Sequence, residues 1–335
     1  MIILLYPFSS TGERAGCIWL VDPGLFTANN KIALRARFIQ IPYESGAQEP
    51  ITGTGTKMKP LSCTAREYSG IVTGRYPFLI SIPHGGIELP AELEGRLALS
   101  RQDIRYYSDP DSRRLYDFRA HVKAVIDTNI SRMAVDLNRP PLPLPPRDPD
   151  GIIKVRTIDG TSVYRPGRLP DLPLIHRLMM QWYFPYHQRI DELIDRDAVK
   201  MAFDCHTMLP VGSVEQKDVG RIRPLICLGN NGDRKGRAKK NAITTCPAPV
   251  IEALANAFRN EFSLDREVAI NNPFSGGFIS NAHYWRKGIP WIQIEINRAL
   301  YEPALSSGQT GTIDDLRDRI LRVLTTFWDH RDGDI

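Results

Sequence analysis

The chain has 335 residues, 42% hydrophobic and 24% charged, with a net charge of +5, the profile of a globular protein long enough to bury a core. So modest a positive balance calls for no nucleic-acid partner, though it slightly favours anionic substrates. Five scattered cysteines without a CxxC pair point to a reducing compartment and so to a cytoplasmic protein. No run approaches the roughly 18 apolar residues of a membrane span, and the opening MIILLYPF is too short for a secretory leader.

Residues 1–70 carry weak periodicity and several breakers, including SSTGERAG and ITGTGTKMKP. They are expected to form a poorly ordered N-terminal extension from a start codon placed too far upstream; an added subdomain is the other reading. Residues 71–335 read as the catalytic domain. Short apolar, β-branched runs predict strands at FLISI (78–82), RMAVDL (132–137), VKMAFD (199–204), PLICLG (224–229) and WIQIEI (291–296). Helical spacing covers 112–126, 172–195, 249–262 and 313–328, the last with Leu316, Ile320, Leu324 and Phe327 on one face. Strands alternating with helices predict an α/β fold, a mixed and largely parallel sheet flanked by helices. The Pro-rich 140–150 is a surface loop, and the basic 232–240 a solvated turn.

Chemistry-bearing residues follow the strands. FLISI runs into His84-Gly85-Gly86, AVDL into Asn138-Arg139, and MAFD into Cys205-His206; WIQIEI carries Glu295 and then Asn297-Arg298. Carboxyl ends of strands in open α/β sheets border the ligand crevice. Two histidines and a carboxylate form a zinc set of the carboxypeptidase type, with Asp204, on the His206 side of the strand, as an outer partner that fixes a ring tautomer. Cys205 points the other way, as a buried structural thiol. For the third ligand, Glu88 and Asp109 stay open as alternatives; Asp111 reads as a helix N-cap. Glu295, in an otherwise apolar strand, is a general-base candidate whose burial raises its pKa. Arg139 and Arg298 offer forked donors for a substrate carboxylate and an oxyanion, or salt bridges with Glu295 or Asp136.

The ordered set SIPHGG (81–86), DPDSRRLYDF (109–118), SRMAVDLNRP (131–140), VYRPG (163–167), PYH (185–187), FDCHTM (203–208), FSGGFIS (274–280) and IQIEINRALY (292–301) resembles the N-formylglutamate amidohydrolase (deformylase) family. The resemblance implies a zinc-carboxypeptidase-like, phosphorylase/hydrolase-like α/β fold. It also implies Zn2+ or another divalent transition metal, and hydrolysis of an N-formyl amino acid such as N-formylglutamate to formate and the free amino acid, a step of histidine catabolism. On it His84 and His206 match the family's metal histidines, Asn138 and Arg139 its DLNR motif, and Glu295 its catalytic glutamate. Ser280-Asn281 stand where the glutamate-specific branch carries Thr-Arg, and the Asn-Arg at 297–298 is an addition. These departures leave the hydrolytic centre intact and bear on the substrate, with His283 a candidate contact. A zinc carboxypeptidase or cell-wall peptide amidase is the alternative enzyme. A non-catalytic carboxylate-binding homologue is the alternative outside enzymes, and Glu295 beside both histidines argues against it.

Overall fold

Continuous apolar runs become the central strands, because a strand buried on both faces has no use for alternation. The structure, a computed structural model, describes residues 3–8, 15–20, 76–264, 267–306 and 311–330. The chain divides into Met1–Pro60 and Leu61–Ile335. In the first unit β1 (Ile3–Phe8) pairs antiparallel with β2 (Ala15–Leu20). The rest of the expected extension lies outside the described residues.

The second unit holds a six-stranded sheet of β3 (Tyr76–Ile82), β4 (Val122–Asp127), β5 (Met201–Met208), β6 (Ile226–Gly229), β7 (Val268–Ile270) and β8 (Trp291–Asn297), in the order β4-β3-β5-β8-β6-β7. Every pairing is parallel except β8 with β6, so the mixed, largely parallel sheet is as expected. Between and around the strands run α1 (Arg101–Tyr107), α2 (Ser112–Leu115), α3 (Leu172–Leu178), α4 (Phe184–Arg196), α5 (Ala248–Phe262), α6 (Phe278–Lys287) and α7 (Ile313–Asp329). A π-helical turn at Met179–Tyr183 links α3 to α4.

Two expected elements change. The helix expected over 112–126 stops at Leu115, and Val122–Asp127 instead forms the edge strand β4, whose Val125 and Ile126 pair with Ile80 and Ser81 of β3. Partnering by β3 overrides a local helical spacing that β-branched residues support poorly. The run 132–137 is no strand. It makes a buried turn in which Ala134 and Val135 donate backbone bonds to Ser131 and Asp136 to Ile152.

The two faces of the sheet differ in chemistry. Phe78, Ile80, Ile82, Phe203, Cys205, Ile292, Ile294 and Ile296 join a single apolar core with Ile251, Leu254 and Phe258 of α5 and Leu316, Ile320, Leu324 and Phe327 of α7. Cys205 is therefore the buried thiol expected. Strand alternation sends Ser81, Asp204, His206, Gln293 and Glu295 to the opposite face, where α4 packs on β3 and α6 on β5 and β8. No helix among the described residues is long and apolar enough to cross a membrane.

The turn after β3 depends on Gly86, which bridges Ser131; a Cβ there would lie 2.2 Å from the Asn129 carbonyl carbon. Gly86→Ala must push backbone aside, and forced overpacking costs about 1–3 kcal/mol. Thermal unfolding should show Tm lowered by several degrees; an unchanged Tm would mean the 84–88 turn yields freely.

Candidate metal centre

His84, the second residue beyond β3, and His206, inside β5, present their rings 4.8 Å apart between centroids. β5 runs two turns of alternation beyond the expected strand, so His206 stands opposite Glu295 of β8 in register. Each ring is held from behind by a carboxylate. His84 Nε2 is 2.7 Å from Asp136 Oδ1, and His206 Nε2 is 3.0 Å from Asp204 Oδ2. A carboxylate accepts only, so each ring can donate from Nε2 to its rear partner while its Nδ1 faces forward. Asp109 lies between them, its Oδ2 3.2 Å from His206 Nδ1 and 3.7 Å from His84 Nδ1. One donor atom from each of His84, Asp109 and His206 falls within 4.8 Å of the other two, and all three residues are buried.

This donor set fits a divalent cation on two observations. His84 Nδ1 is buried with no hydrogen-bond partner among the described residues, an expensive state for a polar atom with nothing to bind. Around the site four buried carboxyl groups crowd together, Asp136 met by Arg132 and Lys154, Asp109 and Asp204 by His206, and Glu295 beside them. Burial works to raise the Asp109 carboxyl, but the neighbouring His206 and His84 rings outweigh it and hold it below the usual carboxylate range.

Asp136 is the hub behind His84. It also takes Arg132 Nη2 at 2.9 Å, Lys154 Nζ at 2.9 Å and the Asn138 backbone N–H at 2.9 Å. These cations overcome burial and hold it well below the usual carboxylate range. Arg132 Nη1 reaches within 3.7 Å of Asp109, and its buried Nε has no hydrogen-bond partner among the described residues. Arg132 and Lys154 stand at the site without having been among the residues expected there. Their signals were the four-residue step from Arg132 to Asp136 and a lysine inside the apolar run GIIKV.

Glu295 is buried, accepts from Gln293 Nε2 at 2.7 Å, and is pushed up to about 7, first by burial and also by Asp109, against the pull of His206. Asn138 donates from Nδ2 to Asp204 Oδ2 at 3.0 Å and accepts from the Ile279 amide at 2.8 Å. Its fit at the start of α6 requires Gly277, where a Cβ would lie 2.3 Å from Asn138 Nδ2.

Other expected site residues stand apart. Glu88 is exposed, its backbone bridged to Ile130, so Asp109 alone of the two candidates reaches the histidines. Asp111 makes no capping bond and pairs with Arg105 instead. Arg298 is buried against Glu302, at 2.9 and 3.0 Å, and the Tyr106 carbonyl at 2.7 Å, so all its nitrogens are committed away from the histidines. His283 is buried with both nitrogens engaged, by Asp191 and His187. Arg139 meets Asp150 through Nε to the carbonyl and Nη2 to the carboxylate, each at 2.8 Å.

The model of the family described as N-formylglutamate amidohydrolase matches residues 76–302. The chain belongs to that family. A protein of Pseudomonas aeruginosa named N-formylglutamate deformylase is 29% identical over 239 residues, 68% of this chain and 83% of that one. A namesake from Pseudomonas putida is 29% identical over 144 residues, 40% of this chain and 53% of its own. The crystal structure of N-formylglutamate amidohydrolase from Ralstonia eutropha superposes with a TM-score of 0.60 at 21% identity, covering 76% of this chain and 94% of that one. A gene product of Agrobacterium tumefaciens gives 0.54 at 20% identity, covering 77% and 94%. Both share the fold of this family member.

Metal analysis after dialysis tests the donor set. Wild type and Glu88→Ala should retain a divalent transition metal, while Asp109→Ala and His206→Ala lose it. Asp204→Asn should weaken affinity by about 10–100-fold, the usual cost of removing an outer partner. Loss of metal in Glu88→Ala with retention in Asp109→Ala would reverse the assignment.

Proposed function

We propose that the chain hydrolyses the amide bond of an N-formyl or other short N-acyl amino acid, N-formylglutamate among them. The observation that carries this reading is a buried carboxylate, Glu295, poised near neutrality beside the His84–Asp109–His206 donor set, in a chain of the N-formylglutamate amidohydrolase family. A zinc ion held by these three side chains would polarise the acyl carbonyl and acidify a water.

Glu295 is the general base. It takes a proton from the attacking water, whose oxygen adds to the acyl carbon, and returns that proton to the amine as the C–N bond breaks. The products are the carboxylate, formate for a formyl group, and the free amino acid. A base with a pKa close to the working pH suits both halves of that transfer. Its burial excludes competing water and supplies the upward shift.

Arg132 is the oxyanion donor. Its guanidinium is held by Asp136 and lies beside Asp109, with Nε free of hydrogen bonds among the described residues. Fixed donors aimed at developing charge cost no reorganisation during the reaction. Arg139 is the anchor for the substrate carboxylate; its Nε and Nη2, which here meet the carbonyl and the carboxylate of Asp150, are the paired donors it would present.

Released amine measured over a panel of N-formyl and N-acetyl amino acids tests the activity; no release from any member would overturn it. Glu295→Gln should cut kcat by about 10²–10⁴-fold with metal content unchanged. Arg132→Ala should cost about 10²–10³-fold in kcat. Because Glu295 must be ionised to act, kcat/KM should fall as pH drops. The midpoint of that acidic limb should be no higher than about 7, and lower where a bound cation favours the ionised form. An activity that rises on acidification would exclude Glu295 as base.

A further inference from the structure

The segment PYH holds a histidine that this chemistry leaves unused. His187, on α4, lies with Nε2 3.0 Å from the Leu137 carbonyl oxygen. A carbonyl only accepts, so Nε2 carries the proton and Nδ1 is an acceptor. His283 Nε2, 2.9 Å away, therefore donates to His187 Nδ1. Behind it, His283 Nδ1 is 2.9 Å from Asp191 Oδ1, and Asp191 Oδ2 takes Arg286 Nε at 2.8 Å. The ring of His283 also stacks on Trp291 of β8, with centroids 5.7 Å apart. Burial first, and then His283, push His187 well below the usual histidine range, in keeping with the neutral ring that the hydrogen bonds require.

The same helical run grips the backbone on the other side of Asn138. Tyr183 donates its hydroxyl to the Arg139 carbonyl at 2.8 Å. The carbonyls before and after Asn138 are thus both held by side chains one turn apart. Asn138 in turn spans the site, with its backbone N–H on Asp136, the partner of His84, and its side chain on Asp204, the partner of His206. A small tilt of its peptide would move both bonds together.

We infer that His187 is a positioning residue: with Tyr183 it fixes the Leu137–Arg139 backbone, and through Asn138 it sets the aim of His84 and His206. The chain His187–His283–Asp191 locks the ring so that the donor faces Leu137. This rests on the proposed role of the two histidines as metal ligands, but its first consequence is visible without metal. His187→Phe keeps the ring and removes the donor; His187→Gln keeps a donor.

Hydrogen exchange of the metal-free protein should show the 132–139 segment opening about tenfold more readily in His187→Phe, the scale of one lost hydrogen bond, with β8 unmoved. Competition with a chelator should show Zn2+ bound about tenfold more weakly, and kcat should fall with KM unmoved. His187→Gln should recover most of each effect. Should His187→Phe fail to fold, Tyr183→Phe loosens the same backbone from the other side and is read the same way. Unchanged exchange at 132–139, or exchange raised equally in β8, would overturn the inference. Looser exchange without any change in Zn2+ affinity would also overturn it.

Discussion

The hydrogen bonds from His84 Nε2 to Asp136 and from His206 Nε2 to Asp204 decide what everything else at the site can do. Each spends one ring nitrogen on a carboxylate that cannot move, because Asp136 and Asp204 are fully buried. The other nitrogen of each ring then faces Asp109. Without the two carboxylates either tautomer would serve and the rings would turn. With them, two imidazoles and a carboxylate converge on one point, and their partners continue outward to Arg132, Lys154 and Asn138.

That arrangement is costly for a protein to hold by itself. Four buried carboxyl groups must share one small volume, and burying an unpaired polar atom such as His84 Nδ1 loses its hydration. A divalent cation relieves both. Burial first, with Asp109 beside it, raises Glu295 toward neutrality against the pull of His206, so the enclosure that holds the donor set also prepares a base. The apolar opposite face, packed by α5 and α7, makes the sheet rigid enough to hold these groups in place.

Much of this was legible in the residues because strand chemistry is local. An apolar run that ends in His-Gly-Gly, or that carries Asp and His two apart, announces both the strand and the side that matters. Ordered motifs then identified the family across residues 76–302. What escaped was set by partners distant in sequence. The 112–126 segment reads as helix until β3 offers it a strand to pair with. The run 132–137 reads as strand, yet it is a turn held by Ile152. Arg298 and His283 looked available because nothing nearby reveals Glu302's bidentate grip or the His187–Asp191 enclosure. Asp109 could not be separated from Glu88 by spacing. Only the fold, which carries Asp109 between the rings and leaves Glu88 exposed, separates them.

The central claim is that His84 and His206 meet a metal through Nδ1, with Asp109 as the third ligand. Crystals of the Zn2+-loaded protein, measured across the zinc absorption edge, test it directly. The account predicts one anomalous peak within bonding distance of His84 Nδ1, His206 Nδ1 and an Asp109 carboxylate oxygen, with Asp136 and Asp204 still on the Nε2 atoms. A peak bound through Nε2 or Glu88, or no peak between the two rings, would contradict it.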